Sequence, residues 1–101
     1  MAFTIATLNP IGGQSRASST TGKGISFWTY TTDDSAATVD SSGYFNSAST
    51  LLKINDIILV ATTSAGVVTL LSHHVVNANS AGVVDVTDAT VVSATVLNDT
   101  D

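Results

Sequence analysis

The side chains of this 101-residue chain that could pass a proton or hold a cation near neutral pH are two histidines, His73 and His74, and eight aspartates. The histidines are neighbours in a stretch with a strand pattern. Adjacent strand residues face opposite sides, so one ion cannot easily take both rings. Either imidazole alone could act as a general base or a lone ligand. The ordinary reading places one in solvent or an interface and the other over the core. Asp33, Asp34 and Asp40 cluster among hydroxyl-bearing neighbours, and Ca²⁺ takes about six to eight oxygen ligands. The D-x-[DN]-x-[DN]-G spacing is absent, however, and Asp is an ordinary turn residue. Asp56, at the mouth of a hydrophobic hairpin, is the one carboxyl placed for an apolar pocket, and otherwise it caps the turn into the strand. Gly22-Lys23-Gly24 resembles the end of a phosphate-binding loop but fails twice. Ala17 stands at the first glycine position and Gly24 replaces the Ser or Thr. No G-x-S-x-G elbow accompanies the 13 serines, and Asn98-Asp99-Thr100 is a glycosylation sequon in a polar tail. These patterns assign no catalytic residue, no metal site and no cofactor, and the chain reads as a non-enzyme.

Aromatic residues are the other candidates. Trp28, Tyr30, Tyr44 and Phe45 could form a sugar-binding platform, but the chain has six aromatics in all, and a domain this small needs them. A core or subunit-interface role is the favoured reading.

The elements that position these residues follow from composition and punctuation. The chain holds 12 Val, 6 Ile and 16 Thr, with no Glu and three basic residues, which predicts an all-β domain. Residues 1–24 read as an extended arm: Phe3, Ile5 and Leu8 precede Asn9-Pro10-Ile11-Gly12-Gly13 and a polar loop. The apolar start either returns to its own sheet as an edge strand or reaches a neighbour. The body spans residues 25–97, with residues 98–101 a polar tail.

Strands are expected at Ile25–Thr32, Ile57–Thr63, Val67–Val76, Val83–Val86 and Thr90–Leu97, with a brief pairing at Ala37-Thr38-Val39. Phe27 points away from Trp28 and Tyr30 because side chains alternate. Ser47 to Leu52 suggests one helical turn capped by Ser47, and Ile54-Asn55-Asp56 a tight turn. Ser64-Ala65-Gly66 closes a hairpin, while Asn77 to Gly82 reads as a loop. Five or six short strands at this spacing predict a small barrel or sandwich.

Charge sets the partners. Eight acidic against three basic residues give −5, so there is no basic stripe for direct nucleic-acid or anionic-lipid binding. No signal-peptide pattern opens the chain, and the uncharged run from Ile57 to Val84 is too polar and too broken for a membrane helix, so a soluble protein is expected. Only 11% of residues are charged, against roughly 25% in an ordinary domain. Much of the surface is therefore expected to meet other protein.

Four segments carry a resemblance through their order: Asn9-Pro10-Ile11-Gly12-Gly13-Gln14-Ser15-Arg16; Trp28-Thr29-Tyr30-Thr31-Thr32; Ala37-Thr38-Val39-Asp40 leading into Gly43-Tyr44-Phe45-Asn46; and Leu51-Leu52-Lys53 leading into Asp56-Ile57-Ile58. Together the chain resembles small tailed-bacteriophage and prophage proteins encoded near the major capsid protein gene, similar to capsid decoration (cement) or head-fibre proteins. It departs from them in the longer Ser/Thr-rich loop from Ala17 to Gly24 and in Asn55, where a glycine is usual.

The resemblance implies a virion structural protein on the outer capsid surface, assembled in the host cytoplasm. It would stabilise the shell by binding the major capsid protein as a homo-oligomer, with a trimer expected. The arm residues Phe3, Ile5, Leu8, Pro10, Ile11 and Arg16 would make the capsid or subunit contacts. The alternative is a receptor- or glycan-binding module of a phage head or tail fibre. A more distant reading is a small hydrolase built on His73 or His74.

Overall fold

The computed structural model describes residue 3, residues 5–11 and residues 25–93. Six strands form one sheet: β1 (Asn9–Ile11), β2 (Phe27–Thr32), β3 (Ile57–Ser64), β4 (Val67–Ser80), β5 (Val83–Val86) and β6 (Thr90–Ser93). The chain is all-β as expected, and the sheet does not close on itself. The order runs β1-β2-β3-β4-β5, with β6 also paired to β4. The β2–β3 pair is parallel and the other pairs are antiparallel. A parallel pair needs a crossover. Residues 33–56 supply it and cover one face of the sheet.

The β-branched runs explain the strands, and the special backbone positions explain the turns. Ala65 and Gly66 both have positive φ (51° and 81°), as do Ala81 and Gly82 (53° and 80°). Two consecutive positive-φ residues make the tight turn whose twist matches antiparallel strands. The second turn corrects the expected loop from Asn77 to Gly82, because β4 continues through Asn77-Ala78-Asn79-Ser80 before turning. Asn79 justifies the extension: its amide donates to the Ser49 and Leu52 carbonyls at 2.8 and 2.7 Å. Fourteen residues at about 3.3 Å each reach roughly 46 Å, a length comparable to the longest dimension of the molecule, 45 Å.

The crossover also departs from expectation. Ala37-Thr38-Val39 is not a strand but part of a short helix, α1 (Ala36–Val39), because Ser35 accepts a hydrogen bond from the Thr38 amide as its N-cap. The turn expected from Ser47 to Leu52 is a 3-10 turn over Asn46–Ala48, preceded by Phe45 with no side-chain cap. Asn55 has φ 79°, so it adopts the left-handed conformation that glycine favours.

The inner face of the sheet packs Trp28, Tyr30, Ile58, Val60, Val76, Val84 and Val86 against Val39, Phe45, Ala48 and Leu52 of the crossover. The N-terminal segment returns to its own chain. β1 pairs with β2, Leu8 is buried, and the Phe3 ring stacks on Tyr30 with centroids 5.3 Å apart.

Candidate functional site

The chemistry-bearing residues fall into two groups, and one of them is internal scaffolding. Asp56 is fully buried and its carboxylate accepts from the Ser26 amide (2.9 Å), the Trp28 indole (3.1 Å) and the Lys53 amide (3.0 Å). The Lys53 ammonium lies 3.2 Å from Oδ1 and also donates to Ser26 Oγ at 3.0 Å. Backbone bonds continue the knot: the Val76 amide donates to the Asp56 carbonyl, and the Asn55 amide to the Val76 carbonyl. The Asp56 carboxylate thus ties the start of β2 to the end of the crossover, and the Asn55 and Asp56 backbone ties both to β4. Its acceptor capacity is taken by the chain's own donors, which suits structure rather than proton transfer.

A second polar chain runs through the crossover. Tyr44 donates to the Asp34 carboxylate at 2.6 Å, and the Tyr30 and Tyr44 hydroxyls lie 2.8 Å apart. Burial, then the hydrogen bond to Asp34, then that to Tyr30, raise the Tyr44 pKa well above its ordinary value, with a smaller opposing effect from Thr32. Trp28, Tyr30 and Phe45 are buried and Tyr44 is half-buried against them, so these rings lie inside the chain rather than forming an outward platform.

The histidines separate as the alternation requires. His74 is buried, with Nδ1 donating to the Thr87 carbonyl at 2.9 Å and Nε2 3.3 Å from Ser72 Oγ. His73 lies on the opposite face, where its Nδ1 is closed off from solvent without a hydrogen-bond partner. Asp33 accepts from Thr63 Oγ1, and Asp34 is taken up by Tyr44. No group of three or more His or Asp side chains among the described residues could hold a metal ion. No described helix is long and apolar enough to cross a membrane.

The second group is the outer face of the sheet. Residues paired across strands share a face, and Phe27, 44% exposed beside buried Trp28, marks the outward one. Ile11, Phe27, Ile57 and Val75 form one cross-strand row on it. Asn9, Thr29, Leu59, His73 and Thr90 form the next. Thr31, Ala61 and Leu71 form a third. All are exposed or half-buried, and His73 is the only ionisable residue in the three rows. Asp85, opposite Ala78, lies beyond them on β5.

The expected arm contacts divide along the same line. Phe3 and Leu8 pack into the core, whereas Ile5, Pro10 and Ile11 are exposed; Arg16 lies outside the described residues. The buried Lys53 was not legible beforehand, since lysine is rarely buried unless paired. The spacing Lys53-Ile54-Asn55-Asp56 before an apolar run was the available signal. Compared with family models, curated proteins and solved structures, the chain finds no match.

Proposed function

We propose that the chain is a virion structural protein that decorates and stabilises a phage capsid by binding the major capsid protein as a homo-oligomer. The observation that carries this reading is the broad outer face of the sheet, largely apolar and nearly free of charge, in a chain whose Asp56, Tyr44 and His74 side chains serve internal hydrogen bonds. Exposed apolar area of this kind marks contact with other protein. The segment order that resembles decoration proteins supports the same reading. On it, the shell contact is made by the exposed arm residues Ile5 and Pro10, which lie outside the three outward rows. Repeated sites on a shell would supply avidity without any single strong contact.

Quantitative mass spectrometry of purified particles tests this reading. A copy number equal to that of the major capsid protein, or a simple fraction of it, is the expected result. A handful of copies per particle points instead to a fibre or tail adhesin, and absence from particles rejects a virion role. Ile5→Asp is expected to lower shell occupancy while the sheet stays folded and the rows of its outer face are unchanged. Deleting residues 1–11 is the poorer test, since it also removes Phe3 and Leu8 from the core.

A further inference from the structure

We propose that the outer sheet face is where copies of this chain meet one another, each copy's face covering that of the next. The inference deepens the homo-oligomer part of the proposed function and is independent of what the shell contributes.

Strand β3 supplies the first argument. Ile57-Ile58-Leu59-Val60-Ala61 is apolar at every position rather than at every second one. Such a continuous run belongs to a strand buried on both faces. The crossover covers the Ile58 and Val60 side, where both residues are fully buried. Ile57, Leu59 and Ala61 are left half-buried with no layer of this chain above them among the described residues. The sequence is therefore that of a doubly covered strand, and the described residues supply one of the two covers.

Charge supplies the second. The chain carries −5, so most approaches between copies bring like charges together. The three outward rows contain no aspartate, lysine or arginine. Two copies can approach through this face without placing carboxylates opposite one another. The same neutrality offers a basic partner nothing to pair with. An uncharged, apolar, sheet-shaped surface is what fits, and another copy carries one.

Size sets the strength of the contact. The rows hold four, five and three residues, and twelve positions of about 4.8 by 7 Å give roughly 400 Å² in projection. Two such faces together bury about 800 Å², the size of a weak, concentration-dependent interface. Packed sheets stand about 10 Å apart, a spacing that Leu59, Leu71 and Phe27 side chains can fill.

The absence of cysteine makes the test clean. Light scattering after size exclusion at about 100 µM, well above a micromolar Kd, should give two or three times the 10.3 kDa chain mass. Twice the mass means a face-to-face pair, and three times means three faces about an axis. Thr29→Cys, at the centre of the face, should cross-link between copies with a short bismaleimide, while Ser41→Cys on the crossover side should not. Leu59→Asp should return the protein to the monomer mass with the strand signature of its circular dichroism intact. Thr29→Lys tests the same point from a polar position in case Leu59→Asp fails to fold. Association should persist or strengthen in high salt, since screening weakens the repulsion between acidic copies.

A monomeric wild type overturns the inference, as does cross-linking through Ser41→Cys alone. Folded Leu59→Asp and Thr29→Lys variants with wild-type mass also overturn it. A monomer present in hundreds of copies per particle would remove this inference and leave decoration standing. An oligomer missing from particles would do the reverse.

Discussion

The two faces of the sheet are built from the same strands and similar residue types, yet they are finished differently. On the inner face, Trp28, Tyr30, Ile58 and Val60 are covered by Val39, Phe45, Ala48 and Leu52, and the buried polar groups of Asp56, His74 and Tyr30 have named partners. On the outer face, Phe27, Leu59 and Val75 have no covering layer among the described residues. The difference shows where the chain completes its own structure and where it presents apolar surface outward. Apolar composition alone does not separate the two, because β3 is equally apolar on both sides.

The largest effect should come from the inner polar knot. Asp56→Ala leaves the Lys53 ammonium buried without its counter-charge and is expected to cost about 3–5 kcal/mol in urea unfolding. That is a large part of the stability of a domain this size. If the loss is below about 1 kcal/mol, the knot is not what fixes the inner face.

A matched pair of truncations comes next. Phe45→Ala, in the inner core, should cost about 3–5 kcal/mol. Leu59→Ala, on the outer face, should cost about 1 kcal/mol in the dissociated chain. Equal losses would erase the contrast between the faces. A Leu59→Ala loss that grows with protein concentration would instead sharpen it, as expected when association stabilises the fold.

The hairpin turns bound both faces and should respond in the opposite sense. Ala65 and Ala81 hold positive φ, which asparagine tolerates better than alanine. Ala65→Asn and Ala81→Asn are each expected to stabilise by about 0.5–1 kcal/mol, seen as higher urea midpoints with an unchanged slope.

The last effect is confined to alkaline solution. The Tyr44 pKa lies above its ordinary value of 10.0 in the folded chain, so the unfolded chain loses this proton first. The stability it contributes is complete below pH 10 and declines as the pH rises beyond it. Phenolate absorbance should show Tyr44 ionising only with unfolding, and Tyr44→Phe should flatten the alkaline fall. Ionisation of Tyr44 in the folded protein at its ordinary pH would break this expectation.

Much of the fold was legible because local and tertiary preferences agree. β-branched runs marked β2, β3 and β4, alternation separated Phe27 from Trp28 and His73 from His74, and Gly66 located the hairpin. Agreement failed where a tertiary contact overrode the local signal. Asn77-Ala78-Asn79-Ser80 is polar enough to read as a loop, yet the Asn79 amide has two carbonyl partners in the crossover. Ala37-Thr38-Val39 has strand residues but follows a capping serine. Of the candidate site, the aromatic core and the position of Asp56 could be read in advance. The outer face could not, because finding it requires cross-strand register: its rows draw on residues as far apart as Ile11 and Thr90.

The two hairpin tips have a practical consequence. Ala65-Gly66 and Ala81-Gly82 close opposite ends of β4, so the length of that strand lies between them. A side-chain carbon added at Gly66 or Gly82 would meet nothing within 4 Å. Both loops are therefore places where a foreign peptide can be grafted without entering the core. A single domain could carry two different epitopes or labels at these two turns, held apart by the length of one strand.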